Sequence, residues 1–212
     1  MTKKEKAREV VGALEKRYPD ATCSLVASKP HELLIATRLS AQCTDARVNI
    51  VTKPLFEKYK TVEEFANADV KDVENIIRSC GLYKTKARDV VKMCQQMIEN
   101  FQGEVPDTIE KLTSLSGIGR KTANLIMGDV YKKPAVVTDT HLIRISNRLG
   151  LVDTRDPYKV EIALKKILEP EKSSDFCHRI VHFGRDVCTA RSPKCELCEL
   201  KSVCKEYKKL DK

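Results

Sequence analysis

The chain has 212 residues, enough for one domain or two small ones with a buried core. Hydrophobic residues make up 42% of it, and no apolar run approaches the roughly 20 residues that a membrane helix needs. Lys and Arg (39) outnumber Asp and Glu (30), and the net charge of +9 suggests an anionic partner, most often a nucleic acid. Nine cysteines without a secretory signal are typical of a reducing compartment such as the cytoplasm.

Hydrophobic residues recur with the 3.6-residue period of a helix along most of the chain. The main stripes are, in chain order, Ala7–Leu14, Leu33–Leu39, Val73–Cys80, Ala87–Phe101, Leu142–Leu149 and Val160–Ile167. Helix-start signals are the Thr61-x-x-Glu64 capping box, Asp69 and Asp156-Pro157, and the stop signals are Gly81 and Gly103. The one extended candidate, 135–138, is short, so the sequence predicts an all-α fold.

Residues 109–131 have the pattern of two short helices joined by a tight turn, Gly117-Ile118-Gly119. Two glycines allow a sharp turn and leave amide groups open at a helix N-terminus, where a phosphate can bind. Arg120 interrupts the sequence of a P-loop, and Thr122 stands where a dinucleotide-binding motif needs its third glycine. In a basic chain we therefore expect a hairpin that binds DNA phosphates; a turn without a ligand is the alternative.

Four cysteines near the C-terminal end lie within 17 residues and have the spacing C-x6-C-x2-C-x5-C. They are Cys188, Cys195, Cys198 and Cys204. Thiolates this close in sequence can bind one metal centre. Zinc ribbons usually pair two short knuckles and only one C-x2-C knuckle is present, so the spacing favours an iron–sulfur cluster only slightly over zinc.

Three sequence motifs, and the order in which they occur, resemble those of the helix-hairpin-helix DNA glycosylases of the endonuclease III family. They are Leu115–Ala123 (LSGIGRKTA), Thr138–His141 (TDTH) and the cysteine cluster. Leu34–Asp45 (LIATRLSAQCTD) and Gly81–Ala87 (GLYKTKA) look like two further blocks, and the likeness extends over most of the chain.

The resemblance implies an all-α, two-lobed helix-hairpin-helix glycosylase fold with a C-terminal [4Fe–4S] cluster loop, in which the four cysteines bind the cluster. It implies a helical barrel domain at 24–134 that contains the hairpin, and an iron–sulfur cluster domain built from 1–23 plus 135–212, with DNA between the lobes. We expect a monomer that does not enter a membrane and works in the cytoplasm with the chromosome, in the nucleoid if the source is bacterial.

The resemblance also places a catalytic lysine at Lys121 and a catalytic aspartate at Asp139. Lys121 opens the second helix of the hairpin, where the helix dipole, Arg120 and partial burial are expected to favour a neutral amine. A neutral amine can attack a sugar C1′ and form a Schiff base. Asp139 is also a candidate N-cap for the helix that follows it. Thr138 departs from the family pattern, which often has an apolar residue there.

The remaining expected contacts are with DNA. By resemblance, Gln42 fills the space left by a displaced base, and Leu82 is a wedge from the side of the opposite strand. Without a functional role, Gln42 would be a polar residue at a helix end, and Leu82 would pack against the protein after Gly81. Further DNA contacts are expected at Gly117, Gly119, Arg120 and Thr122 of the hairpin, and at Arg191 and Lys194 between the first two cysteines.

The implied function is the removal of oxidised pyrimidines from duplex DNA in base excision repair, followed by β-elimination at the abasic site. An adenine-excising mismatch glycosylase is disfavoured, because that relative lacks the lysine nucleophile and carries a further C-terminal domain. The lysine also disfavours a thymine-mismatch glycosylase. A different class stays open: a DNA-binding iron–sulfur module without catalysis.

Overall fold

The computed structural model describes residues 1–210, and every regular element in that range is a helix, so the predicted all-α class is confirmed. The α-helices of this range are α1 (Lys3–Arg17), α2 (Pro30–Leu39), α3 (Asp45–Lys58), α4 (Val62–Ala66), α5 (Val70–Ile76), α6 (Tyr83–Phe101), α7 (Ile109–Thr113), α8 (Arg120–Asp129), α9 (Thr140–Leu149), α10 (Pro157–Lys165), α11 (Ser173–Asp186) and α12 (Tyr207–Leu210). Short 3₁₀ turns lie at Arg78–Cys80, Pro170–Lys172 and Cys195–Leu197.

The chain divides into two compact units. The central unit is Cys23–Tyr131, and the terminal unit combines Met1–Thr22 with the segment from Lys132 onward. The domain predicted from the sequence, 24–134, begins one residue later and ends three residues later than the central unit. None of the helices in residues 1–210 is long and apolar enough to cross a membrane.

The core of the central unit forms around α2 and α6. Seven of the ten residues of α2 are buried, as the continuous apolar run of the sequence predicts. Helix α6 has 19 residues and packs against α2, α4 and α5 through one apolar stripe. The stripe consists of Ala87, Val90, Val91, Met93, Cys94 and Met97. Helix α2 leads directly into the loop of Gln42, so a largely buried helix supports a predicted functional loop.

In the terminal unit, α11 packs against both α1 and α9. The predicted stripe of α1 is confirmed, since its four apolar side chains are buried. Arg17 at the end of α1 forms ion pairs with Asp186 at 2.9 Å and Glu199 at 3.2 Å. These pairs connect the first helix to the end of α11 and to the cysteine-rich loop that follows it (residues 187–206).

The structure corrects three local predictions. Helix α5 ends at Ile76, and the 3₁₀ turn Arg78–Cys80 completes the segment predicted as one helix. Thr61 caps α4 as predicted, but the Glu64 carboxylate accepts the N–H of Lys60 instead of closing the capping box. Segment 135–138 is not a strand. Side chains of α11 accept its backbone N–H groups at Ala135 and Val137, so it needs no partner strand.

Candidate functional site

The two glycines of the hairpin in the central unit have different structural roles. Gly117 has φ +74°, in the left-handed region, whereas Gly119 has φ −98° and caps α8 in a conformation open to any residue. A Cβ atom at Gly117 would lie 2.4 Å from Nε of Arg38, but nothing lies within 4 Å of a Cβ at Gly119. The sharp turn therefore requires glycine at 117, and glycine at 119 leaves free space at the start of α8, where an anion can approach the amides.

A half-buried ion pair between α2 and α6 supports the hairpin. Arg38 of α2 donates to Oδ2 of Asp89 on α6 from Nε at 2.9 Å and Nη2 at 2.6 Å. Asp89 Oδ1 accepts the hydroxyl of Ser116 at 3.0 Å, immediately before Gly117. Sequence reasoning missed this pair, although a charged residue inside the apolar run of α2 was a visible signal.

Lys121 is the second residue of α8, and its side chain is exposed. The predicted partial burial is therefore wrong. The buried face of α8 is formed by Ala123, Ile126 and Met127, and Lys121 precedes Ala123 by two residues, which places it on the opposite side of the helix. Neighbouring Arg120 is exposed as well, and Thr122 is half-buried. The exposure of Lys121 leaves its amine accessible to a substrate.

Gln42 and Leu82 also lie in the central unit, and both are exposed loop residues with unusual backbones. Gln42 has φ 54° and Leu82 has φ 47°. Leu82 is 59% exposed, so packing after Gly81 does not account for its position. Left-handed conformations of non-glycine residues cluster at functional sites, where the surroundings hold them.

Asp139 belongs to the terminal unit, where it is the N-cap of α9. Its Oδ1 accepts the N–H of Leu142 at 2.7 Å, which confirms the candidate capping role. The side chain is half-buried. A carboxylate held in this way is fixed in orientation while part of it stays accessible.

The four cysteines of the terminal unit line one cavity of about 180 Å³. In residues 1–210, no three His, Cys, Asp or Glu side chains are close enough to hold a single metal ion. Four thiols that line one cavity match the donor set of a [4Fe–4S] cluster, which is held by four cysteine thiolates.

The surroundings of the cavity disfavour free thiolates. Burial raises the pKa of the Cys195 thiol, and the neighbouring Cys188 and Cys204 add to the shift. Burial likewise raises the pKa of Cys198. Iron ligation offsets these effects, because a bound metal stabilises the thiolate form.

Two arginines of α9 support the cysteine-rich loop. Arg148 donates to Cys188 Sγ at 3.4 Å, Thr189 O at 2.7 Å and Ala190 O at 2.8 Å. Arg144 donates to the carbonyl of Cys188 at 2.9 Å. Sequence reasoning missed both residues, although their spacing of four places them on one face of the helix that Asp139 caps.

The basic residues predicted to contact DNA in this loop are both exposed. Arg191 lies between Cys188 and Cys195, and Lys194 places its Nζ 3.9 Å from Asp186 Oδ1. An exposed pair at that distance contributes little to stability. Both side chains are therefore available for contacts with phosphates.

The model of the HhH-GPD superfamily base excision DNA repair proteins matches residues 35–170, and that of the iron–sulfur binding domain of endonuclease III matches 188–204. The endonuclease III of Bacillus subtilis (strain 168) is 44% identical, over 92% of this chain and 90% of the relative. That of Synechocystis is 43% identical, over 96% of this chain and 93% of the relative.

The chain belongs to the endonuclease III family. A solved structure of a trapped endonuclease III–DNA covalent intermediate superimposes with a TM-score of 0.93 at 45% identity, over the full length of both chains. The protein is accordingly a base excision repair DNA glycosylase and AP lyase, and its cofactor is a [4Fe–4S] cluster. Membership of an enzyme family argues against the non-catalytic DNA-binding module.

Replacement of each hairpin glycine by alanine should separate their roles. Gly117→Ala forces a left-handed alanine against Arg38 and should lower the free energy of unfolding by at least about 2 kcal/mol. Gly119→Ala is the matched control and should cost less than about 1 kcal/mol, the scale of a weakened N-cap. Urea unfolding of the cluster-containing protein measures both, and equal losses would contradict the assignment.

Arg148→Met should loosen the cluster while all four thiols stay in place. The purified protein should contain about four iron atoms per chain. The variant removes three hydrogen bonds to residues 188–190, so iron loss to a chelator should accelerate by about tenfold or more. The exposed Arg155→Met is the control. Absorbance near the cluster band follows the loss, and an unchanged rate in Arg148→Met would argue against this support.

Proposed function

We propose that this enzyme removes oxidised pyrimidines from duplex DNA, with Lys121 as nucleophile, and then cleaves the strand by β-elimination. The observation that carries the proposal is the exposed amine of Lys121 on the first turn of α8, beside the open amide groups of the glycine turn. A nucleophilic amine must reach a sugar carbon without side chains in its path, and exposure meets that requirement.

The proposed reaction begins when the neutral amine of Lys121 attacks C1′ and the bond from C1′ to the damaged base breaks. The base leaves with the bonding electron pair and takes up a proton. Loss of a proton from nitrogen and opening of the sugar ring give a Schiff base between Lys121 and the abasic sugar. Removal of a C2′ proton then expels the 3′ phosphate, which is the β-elimination. Water finally hydrolyses the imine and releases the lysine.

Asp139 is proposed as the carboxylate that assists this chemistry. The cap fixes its Oδ1 on Leu142 N–H, so the group keeps one orientation without a further loss of side-chain entropy. A fixed carboxylate can stabilise the positive charge that develops on the sugar or take up a proton.

Duplex DNA with a damaged base or an abasic site is the proposed substrate. Phosphates are proposed to bind the open amides of the hairpin with Arg120 and Thr122, and Arg191 and Lys194 to bind others. Gln42 is proposed to fill the space of the displaced base and Leu82 to act as the wedge, because a glycosylase must take its base out of the stack. The proposed working form is a monomer with the chromosome in the cytoplasm.

Lys121→Gln should retain binding to lesion-containing duplex but lose the borohydride-trapped complex and strand cleavage, because the amide cannot form a Schiff base. Lys92→Gln, which changes an exposed lysine of α6, is the control and should trap like the wild type. Gel analysis after borohydride reduction provides the measurement. Persistent trapping by Lys121→Gln would mean that another amine is the nucleophile, and absence of trapping by the wild type would leave only a binding protein.

Asp139→Asn should fold normally, since Asn caps about as well as Asp, but its single-turnover rate should fall about a hundredfold or more. Asp156→Asn is a matched control, because Asp156 caps α10 through the same kind of bond, to Lys159 N–H at 2.8 Å. Its rate should stay at the wild-type value. If the two variants behave alike, Asp139 is only a cap.

Binding of an abasic-site analogue should weaken steeply as salt concentration rises, because phosphate contacts release counterions. Arg191→Ala should reduce the slope of log affinity against log salt by about one unit, as should Lys194→Ala. Arg155→Ala, an exposed arginine outside the proposed interface, should leave the slope unchanged. Titration at several salt concentrations measures the slope, and an unchanged value for Arg191→Ala would remove this residue from the interface.

A further inference from the structure

Lys86 is a fully buried lysine in the first turn of α6, with 0% of its surface exposed. It is the one lysine among the buried polar residues of the described chain. Burial of an ammonium group is unfavourable unless strong hydrogen bonds replace its water. The chemistry proposed for Lys121 and Asp139 makes no use of this group, so its retention in the core calls for another explanation.

The Lys86 ammonium donates to two backbone carbonyls from different parts of the chain. One is Leu39 O at 2.7 Å, at the end of α2, and the other is Cys80 O at 2.8 Å, at the end of the 3₁₀ turn. Carbonyl groups at helix ends have no partner within the helix and carry the negative end of its dipole. A cationic donor forms stronger bonds with them than a neutral one.

Each carbonyl lies just before a loop residue with a left-handed backbone. Gln42, with φ 54°, follows Leu39 by three residues, and Leu82, with φ 47°, follows Cys80 by two. Such conformations persist only where the surroundings hold them. Two other non-glycine residues in the described range have positive φ, and one of these, Gln102, simply ends α6. Lys86 is therefore bonded to the base of both loops that carry the proposed base-displacing residues.

The neighbouring thiol of Cys80 does not replace the carbonyls as a partner of Lys86. Burial raises the pKa of Cys80 to about 11, and nearby Cys43 adds to the shift, so Cys80 is an uncharged thiol at neutral pH. Burial lowers the pKa of Lys86. The two carbonyl bonds are thus the strong interactions that compensate for burial of the amine.

We infer that Lys86 is a positioning residue that ties the Gln42 loop to the Leu82 loop, so that both side chains enter the duplex as one rigid element. The inference rests on the proposed function for the roles of Gln42 and Leu82. It assigns Lys86 to base displacement and not to the chemistry of Lys121. Loss of Lys86 should then affect duplex substrates, in which a base must leave the stack, and spare substrates without a second strand.

Lys86→Met tests this inference, because it keeps the length of the side chain and removes both hydrogen bonds. Base removal from a lesion-containing duplex should slow about tenfold or more, since small misplacements have large effects on rate. The fluorescence rise of 2-aminopurine opposite an abasic analogue, which reports unstacking, should fall in parallel. Cleavage of a single-stranded abasic oligonucleotide should stay within about twofold, because no base pair must be opened.

The controls separate positioning from general destabilisation. Lys92→Met, at an exposed position of the same helix, should behave like the wild type in every assay. Lys86→Gln retains one neutral donor and should fall between Lys86→Met and the wild type; it replaces Lys86→Met if that variant does not fold. When the Lys86 substitution that folds is combined with Gln42→Ala and Leu82→Ala in one chain, the rate should fall no further than in the double variant.

Three outcomes would overturn the inference. The first is that Lys86→Met removes the base from duplex DNA, and raises the fluorescence, to within about twofold of the wild type. The second is that it loses equal activity on duplex and single-stranded substrates. The third is that its loss of rate adds in full to that of the Gln42→Ala, Leu82→Ala double variant. Failure of the wild type to cleave the single-stranded abasic oligonucleotide would instead contradict the function proposed for Lys121, so the two failures are distinguishable.

Discussion

The polar junction between α2 and α6 is the constraint on which the hairpin and two neighbouring loops of the central unit depend. Asp89 of α6 holds Arg38 of α2 and, through Ser116, the hairpin. One turn earlier, Lys86 holds the end of α2 and the end of the 3₁₀ turn. Apolar side chains of similar size often stabilise a core as well as buried charges do. We therefore infer that the role of Arg38, Asp89 and Lys86 is to fix the geometry of three loops. These are the hairpin, the Gln42 loop and the Leu82 loop.

Helix α9 has a comparable role in the terminal unit. Asp139 caps its first turn, and Arg144 and Arg148 of the following turns donate to the cysteine-rich loop. The short helix α9 thus carries both the proposed acid–base residue, Asp139, and the two arginines that hold the cysteine-rich loop. Iron ligation by the four thiolates would restrain the same loop, which contains the two residues proposed to contact phosphates, Arg191 and Lys194.

The sequence predicted what depends on local periodicity and end signals. The apolar stripes of α1, α2 and α6, the cap at Asp139 and the all-α class all follow from residues close in sequence. It did not predict what depends on contacts between distant segments. Lys86 is one of 39 basic residues, and nothing in its neighbours reveals that its amine meets the carbonyl of Leu39. The exposure of Lys121 and the separate roles of the hairpin glycines also depend on contacts with distant segments, so the sequence did not predict them.

The proposed chemistry requires that one exposed amine, that of Lys121, forms the covalent bond to DNA. Mass-spectrometric mapping of the borohydride-reduced complex tests it most directly, because reduction turns the Schiff base into a stable sugar adduct on the lysine. We expect the adduct, after digestion of protein and DNA, to lie on the peptide that contains Lys121. An adduct on the N-terminal amine or on any other lysine would contradict it.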